Sequence, residues 1–303
     1  MTGVITTGNF PKALWPGVKS WFGAAYEDHK TEYTDLFEVD TSDRNYEELV
    51  QERGFGLAPV KNQGAPISYD STQQGFVSRF THVAYSLGFI VTYEEFKDNL
   101  YEKVGKRRSG SLARSMRQTR ENVGANIYNR AYNTSFTGGD GKALIVSDHP
   151  TLAGNQSNVL AVAADLSEVA IEDLIIQIMQ ATDDRGLKIA LKPKSLHIAP
   201  NNAFNATRIL KSTLQNDTAN NAVNAIRAMG LLPEGAKVNH YFTDPDAWFI
   251  RTDAKDGLIH FERDIQDIAM DNDFDTKNGK YAKYERYSFG WADWRALFGS
   301  PGA

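Results

Sequence analysis

The sequence predicts an α+β fold, and three features of the 303-residue chain predict it. Apolar residues recur at steps of three and four over 93–131, the pattern of one long helix. Helix-like and strand-like segments then alternate over about 166–264. An aromatic, partly alternating tail follows at 281–298.

The first forty residues hold Phe10, Trp15, Trp21, Phe22, Tyr26, Tyr33 and Phe37, too many aromatics for so short a segment to enclose by itself. Val18, Phe22, Ala25 and His29 follow helical spacing after Pro16, which predicts a short amphipathic helix in an otherwise extended arm. Two surfaces are open to these aromatics: the chain's own body and a neighbouring subunit. Residues 43–82 carry Gly54, Gly56, Pro59, Gly64, Pro66 and Gly75 between short alternating runs such as Ile67, Tyr69 and Phe76, Ser78, Phe80. That pattern predicts a long β-hairpin or extended loop, of a length that usually serves contacts outside its own fold.

Thr92 and Glu95 form a capping box in front of Tyr93, Phe96, Leu100, Val104, Leu112, Met116, Val123 and Ile127. One helix over 93–131 would span about 60 Å at 1.5 Å per residue. Gly105, Ser109, Gly110 and Ser111 have low helix propensity and predict a kink or split there. Gly138, Gly139 and Gly141 around Asp140 end this region with a turn. Beyond them the spacing predicts a helix from Ser167 through Met179, another through Phe204, Ile209 and Leu210, and strands at 196–199, 238–242, 248–251 and 258–261. Tyr287, Phe289 and Trp291 belong to a final strand returning to a packed sheet.

Composition narrows the chemistry. Hydrophobic residues make up 41%, enough for a sizeable core, and 33 Lys plus Arg stand against 38 Asp plus Glu, so overall positive charge does not drive any binding to nucleic acid. The absence of cysteine excludes disulfides, thiolate metal sites and cysteine nucleophiles. Residues 1–10 lack the basic start and apolar core of a signal peptide, and no apolar run approaches 20 residues, which implies a cytoplasmic product and no membrane partner. Gly54 and Gly56 lack the third glycine of a dinucleotide loop. Asp271, Asp273 and Asp275 start like a calcium loop but meet Thr276 and Ala282 where glycine and glutamate are required. Adjacent Ser147, Asp148 and His149 cannot converge as a triad. His29, His82, His149, His197, His240 and His260 show no metal-ligand spacing, so no catalytic, cofactor or metal residues are assigned. The densest positive charge is Lys103, Lys106, Arg107 and Arg108, followed by Arg114, Arg117 and Arg120. It reads as a solvated helix face or as salt-sensitive contact with DNA phosphates or an acidic partner, with Lys106, Arg107, Arg108 and Arg114 the candidates.

The order of these parts resembles the HK97-fold major capsid proteins of tailed bacteriophages. Thr119-Arg120-Glu121, Asn129-Arg130-Ala131-Tyr132, Asp140-Gly141, Leu144, His149-Pro150, Gly154 and Ser157-Asn158 are similar to the helix end and following turn of Mu-like phage head subunits. Trp248-Phe249, Gly257-Leu258, 271–276, Gly290-Trp291 and Trp294-Arg295 are similar to their closing pattern. The resemblance implies an N-terminal arm (1–41), an E-loop hairpin (42–82), a P-domain (83–157) with a spine helix (93–131), an A-domain (158–269) and a C-terminal strand (270–303) rejoining the P-domain. It implies subunits in hexamers and pentamers of an icosahedral head enclosing double-stranded DNA, with E-loops over neighbours, assembled in the host cytoplasm and residing in the virion. Partners would be other copies, a separately encoded scaffolding protein, a portal and a decoration protein. Candidate inter-subunit residues are Trp15, Trp21, Phe22, Phe37, Phe55, Lys61, Tyr69 and Phe76; Lys61 lies in the loop that some relatives crosslink. A chain lacking residues 1–41 is expected to fold yet fail to assemble. The alternatives are an encapsulin-like compartment shell of the same fold, or an enzyme using carboxylates such as Asp183, Asp184 and Asp264.

Overall fold

In the computed structural model, which describes residues 15–27, 30–98, 101–215, 222–273 and 275–303, helix α1 (Trp15–Glu27) carries Pro16 in its first turn, where a missing N–H leaves no helical bond unmade. The predicted arm helix is therefore present, while Phe10 and His29 lie outside the described residues. Helix α2 (Tyr33–Leu36) is one turn, and the Glu121 carboxylate accepts the N–H groups of Glu32 and Tyr33 at 3.0 and 2.9 Å. Strand β1 (Glu38–Thr41) follows. Next, β2 (Tyr46–Arg53) and β3 (Gln73–Thr81) form the predicted antiparallel hairpin, and β4 (Val83–Val91) leads to the helical region.

The capping box forms: Glu95 N–H donates to Thr92 Oγ1 and Thr92 N–H to the Glu95 carboxylate, both at 3.3 Å. It opens a short helix, α3 (Tyr93–Lys97). Asp98 then stands in a turn, and the long helix α4 runs from Tyr101 to Asn129. The single helix expected over 93–131 is thus two helices, and the stretch at 105–111 that was expected to kink is continuous. The physical reason is close packing. A Cβ on Gly105 would lie 3.6 Å from the Trp21 ring, and one on Gly110 3.8 Å from Ala25, ordinary contact distances that show α1 packed directly across this stretch of α4. Buried Ser109 returns its hydroxyl to the Lys106 carbonyl at 3.1 Å. The contact surface gained with α1 offsets the weak local propensity.

A small hairpin, β5 (His149–Thr151) and β6 (Gly154–Gln156), leads into helix α5 (Glu168–Gln180), capped by Ser167 accepting from Ala170 N–H at 3.2 Å. There follow β7 (Pro193–Ile198), α6 (Ala203–Lys211), α7 (Ala225–Met229), β8 (Ala236–Val238), β9 (Trp248–Thr252), β10 (Leu258–Asn272), β11 (Gly279–Trp291) and β12 (Leu297–Ser300). Two four-stranded sheets result, ordered β1-β10-β11-β4 and β12-β9-β7-β8. The strand expected at 238–242 stops at Val238, because Asn239 Oδ1 accepts from Tyr241 N–H at 2.9 Å and turns the chain. Strand β10 runs far past the expected 258–261. Register shifts at Glu262/Asp264 and Asp264/Asp267 break the alternation by which the rest could be read. The expected single closing strand is two: Asp293 caps a 3-10 turn (Trp294–Ala296), after which β12 joins β9 while β11 stays beside β10 and β4.

All of β9 is buried, with Trp248 and Ile250 in the cluster under α5 and α6 and Phe249 in the cluster around Phe37, Tyr128 and Leu144. Phe22 joins Leu112, Ala113 and Met116 on α4, and β1 pairs in parallel with β10. Phe22, Tyr33, Leu36 and Phe37 are therefore part of this chain's own core. The expectation that a chain without residues 1–41 still folds is overturned, since that cut removes a sheet strand and buried Phe22, Leu36 and Phe37. No described helix is long and apolar enough to cross a membrane.

Candidate functional site

Hairpin strands β2 and β3 pair from Tyr46↔Thr81 to Arg53↔Gln73. Beyond them the loop 54–72 presents Phe55, Leu57, Val60, Ile67 and Tyr69 to solvent, with Val60 at 92% and Tyr69 at 90% exposure. Such side chains gain roughly 1.5–3 kcal/mol each when fully covered, and within this chain they stay uncovered. Both legs of the loop are nevertheless tied down. Arg185 donates to Asp70 at 2.6 Å and to the Ser71 carbonyl at 2.7 Å, and Gly56 N–H donates to Asp70 at 2.8 Å. The backbone N–H groups of Gly56 and Ser71, then Arg185, hold the Asp70 carboxyl below its usual range. At the hairpin base Arg53 pairs with Asp184 at 3.3 Å, and Asp184 also receives Arg295 at 2.8 Å.

These bonds account for the carboxylates considered for catalysis. Asp183 accepts from the Arg185 and Leu187 N–H groups, Asp184 sits between two arginines, and Asp264 pairs with Arg263 on the other sheet. Asp148 pairs with Lys142, whereas His149 Nδ1 faces Asp140 at 2.6 Å and its ring stacks on Trp294 at 4.2 Å, so Ser147, Asp148 and His149 do not converge. Among the described residues no group of three or more His, Asp or Glu side chains could hold a metal ion.

The sequence-selected residues separate into two groups. Phe22 and Phe37 are buried in this chain, Trp21 and Phe76 are half-buried, and Phe55, Lys61 and Tyr69 stand exposed on the hairpin loop. Trp15 begins α1, and its side chain lies outside the described set. Phe22 and Phe37 are thus spent on the subunit's own core. Of the basic candidates, Lys106, Arg107 and Arg114 are exposed, but Arg108 is bidentate to Glu95 at 2.8 and 2.9 Å and donates to the Ile90 carbonyl, so it braces α4 against α3 and β4. Arg120, in the same sequence cluster, is buried. Its guanidinium reaches Glu285 at 2.9 Å, Glu262 at 3.2 Å and the Tyr33 hydroxyl at 3.2 Å. Burial acts to raise Glu262, yet the hydrogen bond from His260 and the charge of Arg120 outweigh it and hold Glu262 low. Burial pushes Lys283 down despite Glu285 at 3.7 Å.

A second buried hub joins the turn region after α4 to β5 and β12. Asn158 Oδ1 accepts from Val146 N–H at 2.9 Å and lies 3.2 Å from His149 Nε2, while its Nδ2 donates to the carbonyls of Leu144 and Leu297. Asn158→Ala should cost about 3 kcal/mol, because buried partners on both sides lose their bonds; denaturant unfolding at neutral pH measures it, and a loss below about 1 kcal/mol would contradict the assignment.

Residues 77–299 match the family described as phage capsid protein, a span covering most of the chain. The chain belongs to the phage capsid protein family. Solved structures agree on its HK97-like fold. The capsid of an empty GTA particle matches with TM-score 0.58 at 9% identity, covering 91% of both chains. A virus-like particle from Pyrococcus furiosus matches with TM-score 0.52 at 11% identity, over 94% of this chain and 98% of that one. A phage-related protein from Bordetella bronchiseptica RB50 gives TM-score 0.52 at 11% identity, over 94% and 95%. No curated protein matches by sequence. This capsid protein is a self-assembling structural subunit and not an enzyme.

Proposed function

We propose that the subunit builds hexamers and pentamers of an icosahedral tailed-phage head around double-stranded DNA, in the manner of Mu-like head proteins, with its hairpin lying over a neighbouring subunit. The observation that carries this reading is the set of exposed apolar side chains at 54–72, anchored by Asp70, Arg185, Arg53 and Asp184. In the family's terms the arm is 1–41, the E-loop 42–82, the P-domain 83–157, the A-domain 158–269 and the closing segment 270–303. Phe55, Lys61 and Tyr69 are the contact residues on the hairpin, joined by Trp15, Trp21 and Phe76. Lys106, Arg107 and Arg114 are exposed cations available to packaged DNA by non-specific, salt-sensitive contact. A separate scaffolding protein, a portal and a decoration protein complete the assembly, which takes place in the host cytoplasm and ends in the virion.

Replacing Leu57, Val60 and Tyr69 together by serine tests the hairpin. The variant should keep its unfolding midpoint, since these side chains are exposed within the subunit, and should form no closed shell under conditions where the parent does, as seen by negative-stain microscopy. Normal shells from the variant would sink the hairpin's role. The likeness to a virus-like particle keeps one second reading, an encapsulin-like compartment; particles from the native host that contain enzyme cargo instead of DNA would favour it.

A further inference from the structure

The sheet β12-β9-β7-β8 has α5 packed beside β12 at one end and α6 beside β8 at the other, about 14 Å apart by strand spacing alone. Each helix turns an apolar stripe inward: Ile171, Leu174, Ile175 and Ile178 on α5, Ala206 and Ile209 on α6. Outward, the two helices show matching patterns of opposite charge. On α5, Val169, Asp173 and Ile176 stand at i, i+4 and i+7, with Val169 65% exposed, along a groove of about 670 Å³ that reaches Leu160, Trp294 and Phe298. On α6, Phe204, Arg208 and Lys211 stand at the same spacing, with Phe204 79% exposed, and α7 adds exposed Arg227 and Met229.

Among the described residues, Glu172, Asp173, Arg208, Lys211 and Arg227 enter no ion pair. Partial burial, followed by repulsion from Glu168 and Asp173, raises Glu172, as expected where carboxylates crowd together without a cation.

We propose that the α5 face of one subunit receives the α6 and α7 face of a second copy, head to tail around a ring. The inference rests on the shell-forming reading and names the surfaces that make the ring. Two different faces, on neighbouring helices that meet where Asn205 Nδ2 donates to the Leu166 carbonyl at 2.8 Å, form a heterologous contact, which closes into rings when the rotation allows. A two-fold contact of α5 with α5 would set carboxylate against carboxylate instead. Covering Phe204, Val169 and Ile176 supplies the burial, and the charges select the pairing and its direction.

Charge reversal tests this. One variant carries Asp173→Arg and the other Arg208→Glu with Lys211→Glu, and both should melt like the parent because the changed side chains have no charged partner in their own chain. Each alone should need at least about tenfold more protein to form capsomers, read by analytical ultracentrifugation. Mixed in equal amounts, the two should restore six-membered rings, in which reversed and native faces alternate as complements, but not five-membered rings, which cannot alternate. Should Asp173→Arg disturb the helix, Ile176→Lys on the same face should give the same assembly defect. Variants that assemble at the parent's concentration, or a mixture no better than its components, would overturn the docking while leaving the shell reading intact. Parent protein that forms no particle would overturn both.

Discussion

Arg120→Met should destabilise the subunit by about 3–5 kcal/mol, the range for removing one partner of a buried ion cluster. The side chain is 1% exposed and Glu285 is fully buried, so its loss leaves Glu285 without its guanidinium partner and removes the Arg120 charge from Glu262. The cluster binds four segments: Tyr33 of α2, Arg120 of α4, Glu262 of β10, and Glu285 with Lys283 of β11. The faces of Tyr33 and Tyr287 lie 5.7 and 5.1 Å from the guanidinium, so it loses aromatic contact as well as charge. Denaturant unfolding at pH 7 measures the cost. Pairing the change with Glu285→Gln should lose less than the sum of the single changes, because the second substitution removes the charge left stranded by the first. A loss under about 1 kcal/mol for Arg120→Met would show that the cluster does not hold these segments together.

Acid should begin to destabilise the subunit before its carboxylates are protonated. His197 lies wholly buried on β7, its Nε2 2.7 Å from Ser195 Oγ and its ring stacked on Tyr128. Burial first, then the charges of Arg251 and Lys237, push its pKa down to about 3. The unfolded chain binds this proton near pH 6.5, so between those values the unfolded state holds more protons than the folded one. Stability is therefore complete above about pH 6.5 and falls as pH drops. At about 1.4 kcal/mol per pH unit, the loss reaches about 5 kcal/mol by pH 3. His82, lowered by burial and then by Arg263 and Arg286, acts in the same direction. Glu262, held low, adds its own loss further down, in the carboxylate range. Unfolding free energies at a series of pH values should show a slope between pH 6 and 4 that His197→Gln reduces by about 1.4 kcal/mol per unit. An unchanged slope in that variant would remove His197 as the cause.

These two residues also mark where sequence reading ended. Helical spacing located α4, the capping box at Thr92 and Glu95, and the helix at Ser167, since each is a local pattern. The hairpin was legible from its glycines, prolines and alternation. Arg120 was not, because it stands in a run of exposed cations, and only the tertiary fold shows that its side of α4 faces β10 and β11. The tie between Asp70 and Arg185 spans 115 residues of sequence and leaves no local trace. Gly105 and Gly110 misled because helix propensity is a weak local preference that tertiary packing overrides, and α1 lying across them is not visible in the local sequence. His197 was correctly placed on a strand, but its depressed pKa comes first from burial and then from Arg251 and Lys237 on other strands, none of which a local pattern shows.

The central claim is that this chain carries its assembly surfaces on a folded subunit and forms the shell through contacts between its own copies. Electron microscopy of the purified protein tests it most directly. Closed particles of uniform diameter, with rings of five and six subunits resolved on averaging, are the expected result; a stable monomer at high protein concentration, with no rings and no shells, would contradict the account.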